Sequence, residues 1–123
     1  MTLRIGNITL DCDDVLKVAR FWSAALDRPL DPGSDAGFAS IGRGDAGRTV
    51  PAWFFEKVPE PKTAKNRMHL DLVDSDPAAV IRLMSLGASV VAERELSPGG
   101  QRWTVLQDPE GNEFCVATSS FTG

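Results

Sequence analysis

Two stretches of this chain repeat one plan. In NITLDCDD, Asn7 precedes Asp14 by seven residues; in HLDLVDSD, His69 precedes Asp76 by the same seven. Each stretch alternates apolar and polar residues, the pattern of a half-buried strand, and each ends on an aspartate suited to start a helix, with Asp13 or Asp14 as the cap in the first. Around the first, Ile8, Leu10 and Cys12 point one way and Asn7, Thr9 and Asp11 the other. Around the second, Met68, Leu70 and Leu72 oppose His69, Asp71 and Val73. A strand-to-helix plan used twice narrows the fold more than any composition figure does.

The remaining segments extend the repeat. Val15, Val18, Ala19, Trp22, Ala25 and Leu26 form a helical stripe. FASIGR (38–43) and TVPAWFFEKV (49–58) read as strands, with GDAG (44–47) as the turn between them. Pro51 places the start of the second at an edge or bulge. PEPKTAKNR (59–67) lacks periodicity and reads as a linker. In the second half, Asp76 is the expected N-cap and Pro77 the first helical residue. Val80, Ile81, Leu83 and Met84 form the expected apolar stripe, and Gly87 ends the helix. ASVVAEREL (88–96), QRWTVLQ (101–107) and NEFCVAT (112–118) are three further strands, with DPEGN as a hairpin turn. The expected fold is α+β: two βαβββ modules, about 3–58 and about 66–119, in one domain spanning 1–123. Their sheets are expected to form a curved mixed surface with a concave ligand cleft.

Composition excludes several classes. A formal charge of −4 with scattered basic residues does not suit a nucleic-acid binder. No apolar run approaches the ~20 residues of a membrane span, and the N-terminus lacks a signal-peptide core. The expected location is cytoplasmic. Cys12 and Cys115 are the only cysteines, which fits reduced thiols. Neither phosphate-binding glycine loops nor the GxSxG nucleophile pattern occurs.

LDCDD with ARFWSAAL, HLDLVDSDP, the helix ending LGA, the closing DPEGNEFCV and the stretch FFEKVPEPKTAKNRMHLDL together resemble the glyoxalase/bleomycin-resistance/dioxygenase superfamily, also called vicinal oxygen chelate proteins. The last of these stretches closely resembles the glyoxalase-like subgroup. In metal-using relatives, four inner-strand residues hold one divalent ion. The resemblance puts those positions at Asn7, Glu56, His69 and Cys115. For Glu56, a one-residue slip would substitute Phe55. Asparagine is a poor transition-metal ligand, and a thiol stands where the family has a carboxylate. The quartet therefore reads as degenerate, with no cofactor expected and a divalent metal as the lesser alternative. One histidine cannot build the two-His, one-carboxylate iron triad within one chain.

The resemblance implies small-molecule binding in the cleft, drug or metabolite, by a homodimer. The competing implication is a metal-dependent lyase or isomerase, with Glu56 or His69 moving a proton next to a carbonyl; a third is an interaction module. His69, with a free pKa of ~6.5, suits proton transfer, and Asp71 on the same strand face is placed to orient it. Asn7, Asp71, Trp53, Phe55, Trp103 and Cys115 are the candidate ligand contacts. For Trp53, Phe55 and Trp103 the alternative is core or interface packing. For Cys115 the alternative is a small buried thiol. Lys65, Asn66 and Arg67 read as a solvated strand approach or as a grip for an anion.

Overall fold

The computed structural model describes residues 3–45, 50–73, 76–95, 98–99 and 102–117. The chain divides into two compact units, Met1–Pro61 and Lys62–Gly123. Each is a small open mixed sheet with one helix, so the class is α+β.

In the first unit, β1 (Asn7–Cys12) leads into α1 (Val15–Leu26), followed by β2 (Phe38–Ile41) and β3 (Ala52–Lys57). The sheet order is β1-β3-β2, with β1 parallel and β2 antiparallel to β3. Asp14 caps α1 by accepting from the Lys17 N–H at 3.2 Å. The expected stripe is buried at Val15, Val18, Ala19 and Trp22, and Phe21 joins it. Trp22 meets Trp53 at 4.8 Å between ring centroids, and Trp53 stacks on Phe55 at 6.2 Å. Cross-strand register puts Ile8 beside Trp53 and Leu10 beside Phe55, which defines the apolar face.

Three expectations change here. β3 is the middle strand of this sheet, not an edge. Pro51 is tolerated because the strand starts one residue later, where the Ala52 N–H donates to Gly6 O at 3.2 Å. The fourth strand of a βαβββ module is reduced to a single bridge, Leu30 to Ile41. Half of the GDAG turn, Ala46 and Gly47, lies outside the described residues, as does Thr49.

Asp31 organises the loop in its place. Its carboxylate accepts from the Ser40 hydroxyl at 2.6 Å and from the Arg43 and Gly42 N–H groups at 2.9 and 3.2 Å.

The second unit runs β4 (Leu70–Leu72), α2 (Ala79–Ser85), β5 (Ser89–Glu95), β6 (Arg102–Gln107) and β7 (Glu113–Ala117). The order is β4-β7-β6-β5, with β4 parallel to β7 and the other pairs antiparallel. A bulge lies between Val90 and Ala92. The full βαβββ plan is present in this unit, although Thr118 lies outside the described residues.

α2 begins later than its sequence implied. Asp76 does not cap it; its Oδ1 accepts from the Ala78 N–H at 2.9 Å, making a turn before the helix. The two-turn helix buries only Ala79 and Leu83, one i,i+4 pair, while Ile81 and Met84 are exposed. Met68 is also exposed because β4 starts at Leu70. Asp108 fixes the DPEGN turn. Its buried carboxylate accepts from the N–H groups of Glu110 and Asn112 at 2.9 and 3.0 Å and from the Asn112 side-chain amide at 2.9 Å.

Candidate functional site

β4 is parallel to the central strand β7, and that pairing builds the site. Register sets Asp71 opposite Cys115, Cys115 opposite Val105, and Val105 opposite Ala92. This row and the next, Ala117, Trp103 and Arg94, lie on one sheet face. The other face carries the buried Phe114, Leu106, Val116 and Thr104. His69 precedes Asp71 by two residues, the spacing that sends strand side chains to one side.

The ligating atoms of His69, Asp71 and Cys115 lie within 4.8 Å of one another. His69 Nε2 is 3.5 Å from Asp71 Oδ1, an ion-pair separation rather than a tight hydrogen bond. The His69 and Asp71 side chains are 51% and 66% exposed, whereas Cys115 is buried. Burial pushes the Cys115 thiol up, and the Asp71 carboxylate adds to this by its charge and as a hydrogen-bond acceptor. Glu113 pushes the same way, and Lys65 opposes it. The alternative reading of Cys115 as a small buried thiol is thus the one its surroundings support, in protonated form.

Lys65 and Asn66 lead the histidine segment onto β7. Lys65 Nζ meets the Glu113 carboxylate at 3.2 Å, and Asn66 Nδ2 donates to Glu113 O at 3.0 Å and Met68 O at 3.2 Å. They are fastenings for the His69 segment. Nothing in the sequence marked this role, because Glu113 is far along the chain. Arg94 beside Trp103 was likewise visible only from strand register.

The first unit carries a counterpart of the trio. Asn7 and Thr9 hold the positions of His69 and Asp71 in the repeat, and Asn7 Nδ2 donates to Thr9 Oγ1 at 2.8 Å. Thr9 lies opposite Phe54 as Asp71 lies opposite Cys115. The residue corresponding to Cys115 is therefore Phe54, not Glu56 or Phe55. Glu56 lies opposite Asp11, while Asn7 lies opposite Ala52. At about 3.3 Å per residue, Asn7 and Glu56 stand on the order of 13 Å apart along the strands. They cannot ligate one ion, which corrects the inherited quartet.

Trp53 and Phe55, candidates for stacking on a flat ligand, lie on the helix-covered face and are buried against Trp22 and each other. Trp103 is half-buried on β6. With Pro77, Val80, Glu93, Arg94 and Arg102 among others, it also lines a hollow of about 750 Å³. That hollow does not include His69, Asp71 or Cys115. The trio concentrates the reactive side chains, so chemistry, not volume, selects it as the candidate site.

Residues 7–117, nearly the whole chain, match the family described as the glyoxalase-like domain. The chain belongs to that family. No curated protein matches the sequence. Among solved structures, this glyoxalase-like domain is similar to a mutant of the fosfomycin resistance protein FosX from Listeria monocytogenes, complexed with Mn(II) and 1S,2S-dihydroxypropylphosphonic acid. The identity is 14%, covering 98% of this chain and 94% of that one, with a TM-score of 0.74. FosX from Mesorhizobium loti is 18% identical over 99% and 96% of the chains, with a TM-score of 0.70. The bleomycin-binding protein from Streptomyces verticillus, complexed with copper(II)-bleomycin, is 23% identical over 98% and 100%, with a TM-score of 0.60. These likenesses place the glyoxalase-like domain in the vicinal oxygen chelate fold.

The four inherited metal positions do not fit one ion in this glyoxalase-like domain, because Asn7 and Glu56 are a strand length apart. Among the described residues, the donor set that does converge is His69, Asp71 and Cys115, all in the second unit. Among the described residues, no helix is long and apolar enough to cross a membrane.

Proposed function

We propose that this glyoxalase-like domain is a small-molecule-binding protein that reads its ligand on the His69 face of the second sheet. One observation carries the reading: an imidazole and a carboxylate, both open to solvent, converge on a single sheet face with a thiol beside them. His69 and Asp71 supply polar selection there, and Trp103 and Arg94 lie one row away as contact area and charge. In the first unit, Asn7 presents an exposed amide of its own, which donates to Thr9. The neighbours named as bleomycin-binding and fosfomycin-resistance proteins support a drug or metabolite as ligand class. The reading includes a cytoplasmic homodimer, whose mass sedimentation velocity would measure.

A metal-dependent lyase or isomerase is the second reading. The placement of Asp71 beside His69 favours it, since a carboxylate orients an imidazole for proton transfer. Glu56, its other proposed proton carrier, belongs to the first unit and is exposed beside Asp11.

A thermal-shift screen of drug-like and metabolite ligands tests the leading reading. Ligands that raise the melting temperature should lose that effect in His69→Ala and Asp71→Asn. A shift unchanged in both variants would remove this face from the account. Chemical turnover of a hit, abolished by His69→Ala, would move the conclusion to the enzyme reading.

A further inference from the structure

We propose that the hollow of about 750 Å³ bordered by Pro77, Val80 and the β5–β6 pair is a second binding site, which takes a small organic cation with a primary ammonium group and an apolar body. This goes beyond the ligand-binding reading above and does not rest on it, because none of His69, Asp71 and Cys115 lines the hollow.

Register runs one row of the second sheet through Leu72, Val116, Thr104 and Glu93. The matching row of the first sheet is Leu10, Phe55 and Ala39, since Leu10 follows Asn7, and Leu72 follows His69, by three residues. The first row stays apolar to its end, where Ala39 is fully buried. In the second row that position is Thr104, which is only 3% exposed. Its hydroxyl has no hydrogen-bond partner among the described residues. The repeat shows that the frame does not require a hydroxyl there, and a buried hydroxyl left unpaired is uncommon because it forfeits its bond to water. Thr104 lines the hollow, where a bound molecule would reach it.

Glu93 sets the charge. It stands directly opposite Thr104, is exposed and lines the same hollow. Among the described residues its carboxylate has no cationic partner, whereas Glu95 is held by Arg102 at 2.8 Å. Arg94 also lines the hollow, but its row belongs to the other strand face, with Trp103, and no ion pair joins it to Glu93. Directly opposite side chains have Cβ atoms about 5 Å apart. An ammonium carries three N–H donors, so one such group donates to the Glu93 carboxylate and the Thr104 hydroxyl oxygen together. The apolar body has its place against Pro77 and the half-buried Val80, which α2 leaves uncovered because it buries only Ala79 and Leu83. The volume falls within the range of about 300–1,000 Å³ typical of small-molecule sites.

The test titrates the isotope-labelled full chain with benzylamine at neutral pH, where the probe is an ammonium ion, and follows backbone amide signals by NMR. The shifts should saturate and centre on Val80, Glu93 and Thr104. Benzyl alcohol, the same body without the charge, and benzoate, with the opposite charge, should each bind at least about tenfold more weakly. Glu93→Gln and Thr104→Val keep the shape of the side chain and should stay folded by circular dichroism. Each should weaken benzylamine binding by about fivefold or more. Thr104→Val should also melt no lower than wild type, since its hydroxyl gives up no bond within the chain; a lower melting temperature would show the hydroxyl already engaged and overturn the proposal. The proposal fails equally if benzylamine gives no saturable shift, if benzoate or benzyl alcohol binds as tightly, or if either variant binds benzylamine unchanged. Shifts centred on Asp71 and Cys115 would assign the amine to the His69 face, overturning this proposal while leaving that reading in place.

Discussion

Asp71 and Cys115 stand directly opposite each other across the parallel β4–β7 pair, the carboxylate in solvent and the thiol buried. The pairing makes the thiol hard to ionise, through burial first and the Asp71 carboxylate second. Its folded pKa lies above the usual 9.0. The stability this gives is fully present below the unfolded thiol pKa and is lost as pH rises through the folded value.

Cys115 should therefore react slowly with iodoacetamide near pH 8. Asp71→Asn removes the charge and should speed alkylation by about threefold or more at fixed pH, because thiolate is the reacting form. Peptide mass mapping separates Cys115 from Cys12. An unchanged rate at Cys115 would mean that burial alone protects it.

Asp31 contributes to acid behaviour in the first unit. Partial burial pushes its carboxyl up, but hydrogen bonds from Ser40, Arg43 and Gly42, with the nearby Arg28 charge, outweigh this and hold it below 3.8. A depressed carboxylate stabilises the fold above its unfolded pKa, and the contribution fades as pH falls through the folded value. Asp31→Asn should cost about 1–2 kcal/mol at neutral pH. It should also flatten the loss of stability below about pH 4. Urea unfolding followed across pH would show both effects, and parallel acid limbs for variant and wild type would exclude them.

Asp108 makes a different prediction from its place in the DPEGN turn. Its buried carboxylate receives two backbone N–H groups and the Asn112 amide. Asp108→Ala strands those donors and should cost about 2–3 kcal/mol. Asp108→Asn keeps one acceptor and should cost less. Equal denaturation midpoints for wild type and Asp108→Ala would show that the turn is held by other contacts.

Local periodicity was legible where a helix or strand is long. α1 falls where the stripe puts it, because twelve residues carry three turns of signal, and Asp14 is the one of the two candidate aspartates that caps it. α2 has only seven, and there Asp76 makes a turn that delays the helix. The candidate site was half legible. Alternation on NITLDC and HLDL set the faces of Asn7, His69 and Asp71. The partner across each strand was not readable, since register comes from pairing between distant segments. That is why the resemblance puts a metal position at Glu56, while register makes Phe54 the residue that corresponds to Cys115.

The tryptophans separate core from recognition surface. Trp53 is buried and ring-packed on Trp22 and Phe55, so Trp53→Ala should cost about 3–5 kcal/mol, the range for losing a large core aromatic. Trp103 is only half-buried, one row from Cys115, with Arg94 as its cross-strand neighbour. Trp103→Ala should cost less stability than Trp53→Ala while reducing the melting shift given by a bound ligand. Denaturant melts and ligand titrations on the two variants read the contrast directly. If Trp53→Ala left stability intact and removed ligand binding, β3 would belong to the recognition surface and the division between the two faces of the first sheet would have to be reversed.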